Sequence, residues 1–162
     1  MSNFFTGLLS KTADDITPPP LLPMGTYLAA IKDHPKMSEF KGNAQNTAGW
    51  DVLEFTLEII SADNVDAVDL EEYEAKATVA GTTLRQPFMF TKEEGAEASR
   101  MSTEDRLKTF LKKGGVDFEG SMTLREALGQ SVKAQYLVEV THQPDKNDAE
   151  KMFAQIKNIH QV

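Results

Sequence analysis

The stretch Gly49 to Ile60, GWDVLEFTLEII, most constrains what this chain can fold into. Leu53, Phe55, Leu57 and Ile59 alternate with Val52, Glu54, Thr56 and Glu58. That is the two-residue period of a half-buried β-strand. The apolar set must face a core, and the opposite set carries acids, Thr56 and the only tryptophan, Trp50. A tryptophan at the mouth of a strand, opposite the core stripe, reads in two ways. It is a lid on the core, or a platform on which something flat stacks.

A chain of 162 residues is one domain's worth and long enough to bury a core without staples. Hydrophobic residues at 40% and charged residues at 26% are those of an ordinary globular protein. With no cysteine, disulfide frameworks and thiolate metal sites are excluded, and a reducing cytoplasm is the compartment expected. No apolar run approaches the roughly 18 residues of a spanning helix, so no membrane association is expected, and a secretory signal is not expected either. The formal net charge of −8 opposes a nucleic-acid role, because binders of nucleic acid carry a basic footprint. Any such role must rest on local separation of charge.

Residues 1–24 read as an arm, Pro-rich and flexible, ahead of a single domain over 25–162. Its apolar clump NFFTGLL is either a frayed terminus or a short amphipathic helix, and Pro18-Pro19-Pro20 is a stiff extended segment. Strand one is expected at Gly25–Lys32, with Tyr27, Ala29 and Ile31 on one face. From Asp33 to Gly49 the text is polar and reads as a long mobile loop. It brings Lys32, His34, Lys36, Phe40 and Lys41 towards Trp50, a basic and aromatic cluster in an acidic protein. After the organising strand, the acidic stretch 66–76 reads as solvated loop or short helix. Strand three is expected at Thr82–Phe90, with Leu84, Phe88 and Phe90 towards the core. Pro87 makes it an edge strand or a bulged one. A helix is expected to open at Ser102-Thr103-Glu104-Asp105 and end at Gly114-Gly115. A second should open at Thr123, with Glu126 completing a capping box. Strands four and five are expected at Ser131–Val140, with Tyr136 in its apolar stripe, and at Met152–Ile159, joined by the turn HQPDKNDAEK.

The order β-β-β-α-β-β predicts a mainly β fold with helices (α+β), a five-stranded OB-fold-like Greek-key barrel with the helix insertion between strands three and four. Other antiparallel α+β arrangements share the order.

Chemistry is sparse. His34, His142 and His160 have no metal-ligand spacing. No phosphate loop of a common type is present, the carboxylate pairs lie in solvated stretches, and no serine sits in a nucleophile elbow. The chain reads as no enzyme, with no cofactor. Binding reads better, since single strands are held by a positive groove and by aromatic platforms worth about 1–3 kcal/mol per stacked base. On an OB-fold the working surface is the face of strands two and three with its flanking loops. Here that surface would hold Trp50, Arg85 and Met89, the loop residues Lys36, Phe40 and Lys41, and His142 and Lys146 of the late loop. For any single lysine, a solvated edge is the plainer reading.

The lead-in PPPLLPMGTYLAAI, the lysine-bearing polar loop, the GW-x-x-L-x-F-x-L-x-I strand, RQPFMF, the two capped helices and FAQIKNI together resemble small bacteriophage single-stranded DNA-binding proteins. The likeness covers roughly residues 18–160 and is one of pattern and order. It implies an OB-fold that coats exposed single strands in phage DNA replication and recombination, in the cytoplasm of the bacterial host. By position, Lys32, Lys36, Phe40, Lys41, Trp50 and Arg85 would inherit the contacts. Many such proteins end in an acidic tail that recruits replication partners, whereas this sequence ends KNIHQV. The N-terminal arm is then the candidate contact for replication or recombination proteins. The rival reading is a non-catalytic protein–protein adaptor or virion-associated structural protein on the same fold, which the acidic balance and Phe4-Phe5 favour. A small hydrolase is a remote third. Oligomeric state, binding-site size and preference between DNA and RNA leave no mark in the sequence.

Overall fold

The computed structural model describes residues 3–148 and 150–162; Met1 and Ser2 of the expected arm, and Ala149 of the expected turn, lie outside the described residues. The chain is an α+β protein with an open antiparallel sheet of six strands. These are β1 (Gly25–Ile31), β2 (Lys36–Phe40), β3 (Trp50–Val65), β4 (Thr83–Thr91), β5 (Gln135–Pro144) and β6 (Met152–Gln161). Four α-helices accompany them: α1 (Asn3–Leu9), α2 (Ala67–Glu74), α3 (Glu97–Lys113) and α4 (Leu124–Gln130).

The organising stretch becomes β3, which at 16 residues is longer than its neighbours can cover singly. On one edge it pairs β4 over Trp50–Glu58. The other edge is shared end to end, with β2 along Trp50–Glu54 and β1 along Leu57–Val65. The two short strands are one interrupted strand, broken over residues 32–35 and rejoined to β3 on the far side of the break. Lys32 marks it, its N–H donating to Thr56 O at 2.9 Å. The expected mobile loop over 33–49 is therefore corrected. Its first part is β2, which the sequence hides because all five residues are exposed and show no alternation. Pairing against β3 supplies what local propensity lacks.

The remainder, residues 41–49, is ordered by a buried polar anchor. Asn46 Nδ2 donates to Gly49 O at 3.1 Å and to Thr91 Oγ1 at 2.9 Å, while its Oδ1 accepts from Gly49 N at 3.1 Å. Asn43 Oδ1 accepts from the N–H groups of Gln45 and Asn46. Gly49 has φ +85°, and a β-carbon there would strike the carbonyl oxygen of Phe40.

The sheet continues from β1 to β5 to β6. Strand β4, the home of Pro87, pairs only β3 and is an edge strand, where a missing donor is tolerated. Strands β4 and β6 approach each other across the remaining gap without forming a ladder, so the sheet does not close. The expected barrel of five strands is corrected to an open sheet of six, because the stretch read as a loop after β1 supplies β2.

The stripe Leu53, Phe55, Leu57 and Ile59 is buried, as are Tyr27, Ala29 and Ile31. Helix α3 covers them through Leu107, Phe110 and Leu111. Phe110 stacks on Tyr136 at 4.6 Å between centroids and 3° between planes, and the Tyr136 hydroxyl donates to Phe110 O at 2.8 Å. Gly114 ends the helix beneath that ring, where any β-carbon would collide with the hydroxyl. Burial pushes the Tyr136 phenol well above its ordinary pKa. Helix α3 begins five residues before the expected cap. Thr103, read as part of that cap, is inside the helix, its hydroxyl donating to Met89 O at 3.1 Å and to Ser99 O at 3.3 Å. Arg100 ties the first turns to β4 through Thr91 O and Glu93 O. The capping box of Thr123 and Glu126 forms as expected. Strand β5 starts at Gln135 rather than Ser131, because Lys133 takes φ 74° and turns the chain.

Candidate nucleic-acid interface

Residues paired across an antiparallel ladder share a face, so the registers of β2, β3 and β4 define the candidate surface row by row. Phe40, Trp50 and Thr91 form one row; Ser38, Val52 and Met89 the next; Lys36, Glu54 and Pro87 the third; Thr56 and Arg85 the fourth. This is the side opposite Leu53, Phe55 and Leu57. Phe40 is 57% exposed and Trp50 half-buried. Directly opposed residues have β-carbons about 4.5–5.5 Å apart, so the two side chains leave neighbouring positions at the outer end of the sheet. Gly49 and the Asn46 anchor set the entry of the chain into Trp50, which fixes that row. Trp50 is not among the side chains packed against the buried cluster.

Of the six residues expected from the sequence, Lys36, Phe40, Trp50 and Arg85 occupy this face. Lys41 follows Phe40 directly and is exposed, and Lys32 is exposed at the strand break. The acids on the same face take up part of the charge. Arg85 lies 3.9 Å from Glu54 and Lys32 lies 3.7 Å from Glu58. Exposed pairs of this kind are worth about 0–1 kcal/mol, so they tune the surface more than they lock it. Among the described residues Lys36 and Lys41 have no ion-pair partner.

The late loop does not join them. His142 is held at the other end of the sheet, Nε2 against Leu22 O at 2.7 Å, where the arm enters β1. Phe88 is buried, Phe90 is partly buried against the core, and Tyr136 is fully buried, all as expected. Acidic residues of α2 lie beyond the far end of β3, but Glu93 and Glu94 follow Thr91, the partner of Trp50, at the aromatic row.

Sequence reasoning missed two features. One is Asn46, whose signal was two asparagines between Gly42 and Gly49. The other is Lys92, which holds Glu39 at 3.0 Å and Asp51 at 3.5 Å. Hydrogen bonding to Glu39 holds the Lys92 ammonium above its ordinary pKa. Glu39 and Asp51 are opposed in register on the reverse of the aromatic row, so this cation keeps two acids engaged away from it.

On the arm, residues 4–20 are exposed, including Phe4, Phe5, Leu8 and Leu9 of α1. Leu22 and Pro23 are buried, and Tyr27 Oη donates to Pro23 O at 2.7 Å, so the arm is anchored only at its root. Among the described residues no helix is long and apolar enough to cross a membrane. Comparison with known protein families gives no match to any family model, and comparison with curated proteins gives no match.

Proposed function

We propose that this protein is a sequence-tolerant single-stranded DNA-binding protein of the kind that serves phage DNA replication and recombination. The observation that carries the reading is the pairing of Phe40 with Trp50 on the outward face of β2 and β3, with Lys41 next to it and Lys36 two rows along, neither in an ion pair among the described residues. Two adjacent rings offer stacking to any base, and flexible lysines offer charge to phosphates without reading sequence. The finer fold reading is an OB-fold. Taking β1 and β2 as one broken strand, the pairings first–second, second–third, first–fourth and fourth–fifth are those of the Greek-key barrel, with α3 and α4 in the slot before the fourth strand. With two of the face's cations already paired, stacking carries a large share of affinity. Fluorescence anisotropy of labelled oligo-dT at low and moderate salt tests this. Binding that weakens with salt supports it, and none at low salt sinks it.

A second reading, an adaptor or virion-associated structural protein, is favoured by α1. Four apolar side chains of this helix face solvent, with Phe4 and Phe5 edge to face at 5.3 Å. Deleting residues 1–17 should abolish partner capture under this reading and leave oligo-dT binding intact under the first.

A further inference from the structure

Across β4 from the aromatic row, the gap between β4 and β6 is spanned by the second half of α3, and a cleft of about 360 Å³ opens there. Its rim carries Arg106 and Lys113 from α3 and Lys157 from β6, and no carboxylate lines it. In a chain of net charge −8 that concentration of cations is the reverse of the average surface. The fold produces it directly. Arg106, Phe110 and Lys113 fall on one helix face at i, i+4 and i+7, and the unpaired edges of β4 and β6 keep the space open. Arg106 spends one donor on Thr103 Oγ1 and Lys113 one on Ile159 O at 3.2 Å, leaving most of their N–H groups free. Lys157 is 3.9 Å from Glu139, a loose pair, and Glu139 also accepts from Asn158 Nδ2 at 3.1 Å. Gln86 and Asn158 add amide groups to the rim, and half-buried Ile156 and Ile159, with the buried Phe88 and Phe110, form an apolar floor.

We infer that this cleft is a binding site for a phosphate group attached to a flat apolar body, that is, a nucleotide. A tetrahedral oxyanion takes several donors from different directions, which a fork-shaped guanidinium and two ammonium groups supply. The apolar floor suits the base or sugar. The phosphate can belong to a free mononucleotide or to the backbone of a strand. The site shares no residue with the Phe40–Trp50 face and does not depend on that face binding DNA.

Amide NMR of the full chain tests it, with thymidine 5′-monophosphate, thymidine and oligo-dT as probes at constant ionic strength. The monophosphate should give saturable shifts confined to residues 106–113, 86–88 and 156–159, and thymidine should give none there. Arg106→Gln with Lys113→Gln should weaken the monophosphate at least tenfold with an unchanged thermal transition; should that pair fail to fold, Lys157→Gln alone should weaken it several-fold. Oligo-dT moving the same amides assigns the site to a strand's backbone, and their response to the monophosphate alone assigns it to a free nucleotide. No shifts there, equal shifts with thymidine, or undiminished affinity in a folded variant would overturn the inference. Failure of Trp50 to respond to oligo-dT would leave these shifts in place.

Discussion

At the scale of single residues, the face is built by small polar devices behind the aromatic ones. Trp50 is placed by Gly49, and Gly49 by Asn46, whose amide satisfies both groups of that glycine. Asn46→Ala leaves the buried Gly49 N–H without its partner, while the Gly49 carbonyl keeps the Lys92 N–H at 2.9 Å, at about 1–3 kcal/mol. It should lower the denaturation midpoint and release loop 41–49, which hydrogen exchange at Gly49 and Trp50 would register. Tyr136 makes a similar point in the core. Its hydroxyl is committed to Phe110 O, and Tyr136→Phe should cost about 1 kcal/mol while keeping the stacked pair. The sequence announced Tyr136 through its alternating stripe. It could not announce Asn46, because a buried asparagine in a loop is indistinguishable from a solvated one until its partners are in place.

Among elements, the alternating runs of β1, β3 and β5 were legible because one buried face imposes a period on them. Strand β2 was not, since neither face is buried and its stability comes wholly from the neighbour it pairs. The start of α3 was missed for a related reason. Thr103 and its neighbours resemble a cap, but the hydroxyl is used inside the helix and the preceding turns are held by Arg100. The candidate face follows the same rule. Its rows were partly visible in the order of β3 and β4, whereas the Phe40–Trp50 pairing needed the hidden strand. Under the proposed function, Lys36→Ala with Lys41→Ala should flatten the dependence of log affinity on log salt by one to two phosphate contacts, about 0.7 per contact on a single strand. An unchanged slope would remove both from the interface.

For the whole molecule, the α+β class and the slot of α3 and α4 ahead of β5 followed from the element order. The open seam did not, because nothing in β4 or β6 records whether their free edges meet. The molecule's charge is distributed unevenly, with α2 acidic at one end of β3 and the cationic cleft at the β4–β6 seam. Titration at high pH probes the core beneath that seam. Burial raises the phenols of Tyr27 and Tyr136 above their ordinary pKa. Their neutral form is favoured by folding, so this stability is fully present below the unfolded value near pH 10 and is lost as pH rises towards the folded value. Denaturation midpoints should hold to about pH 10 and fall above it, less steeply in Tyr136→Phe; parallel curves would contradict this.

Trp50 is the only tryptophan, so its emission reports on the face alone. Titration of the full chain with oligo-dT at low salt should change that emission saturably, with weaker affinity at higher salt and at least tenfold loss in a Phe40→Ala variant. Emission that stays unchanged at low salt, with no bound oligonucleotide, would contradict the account.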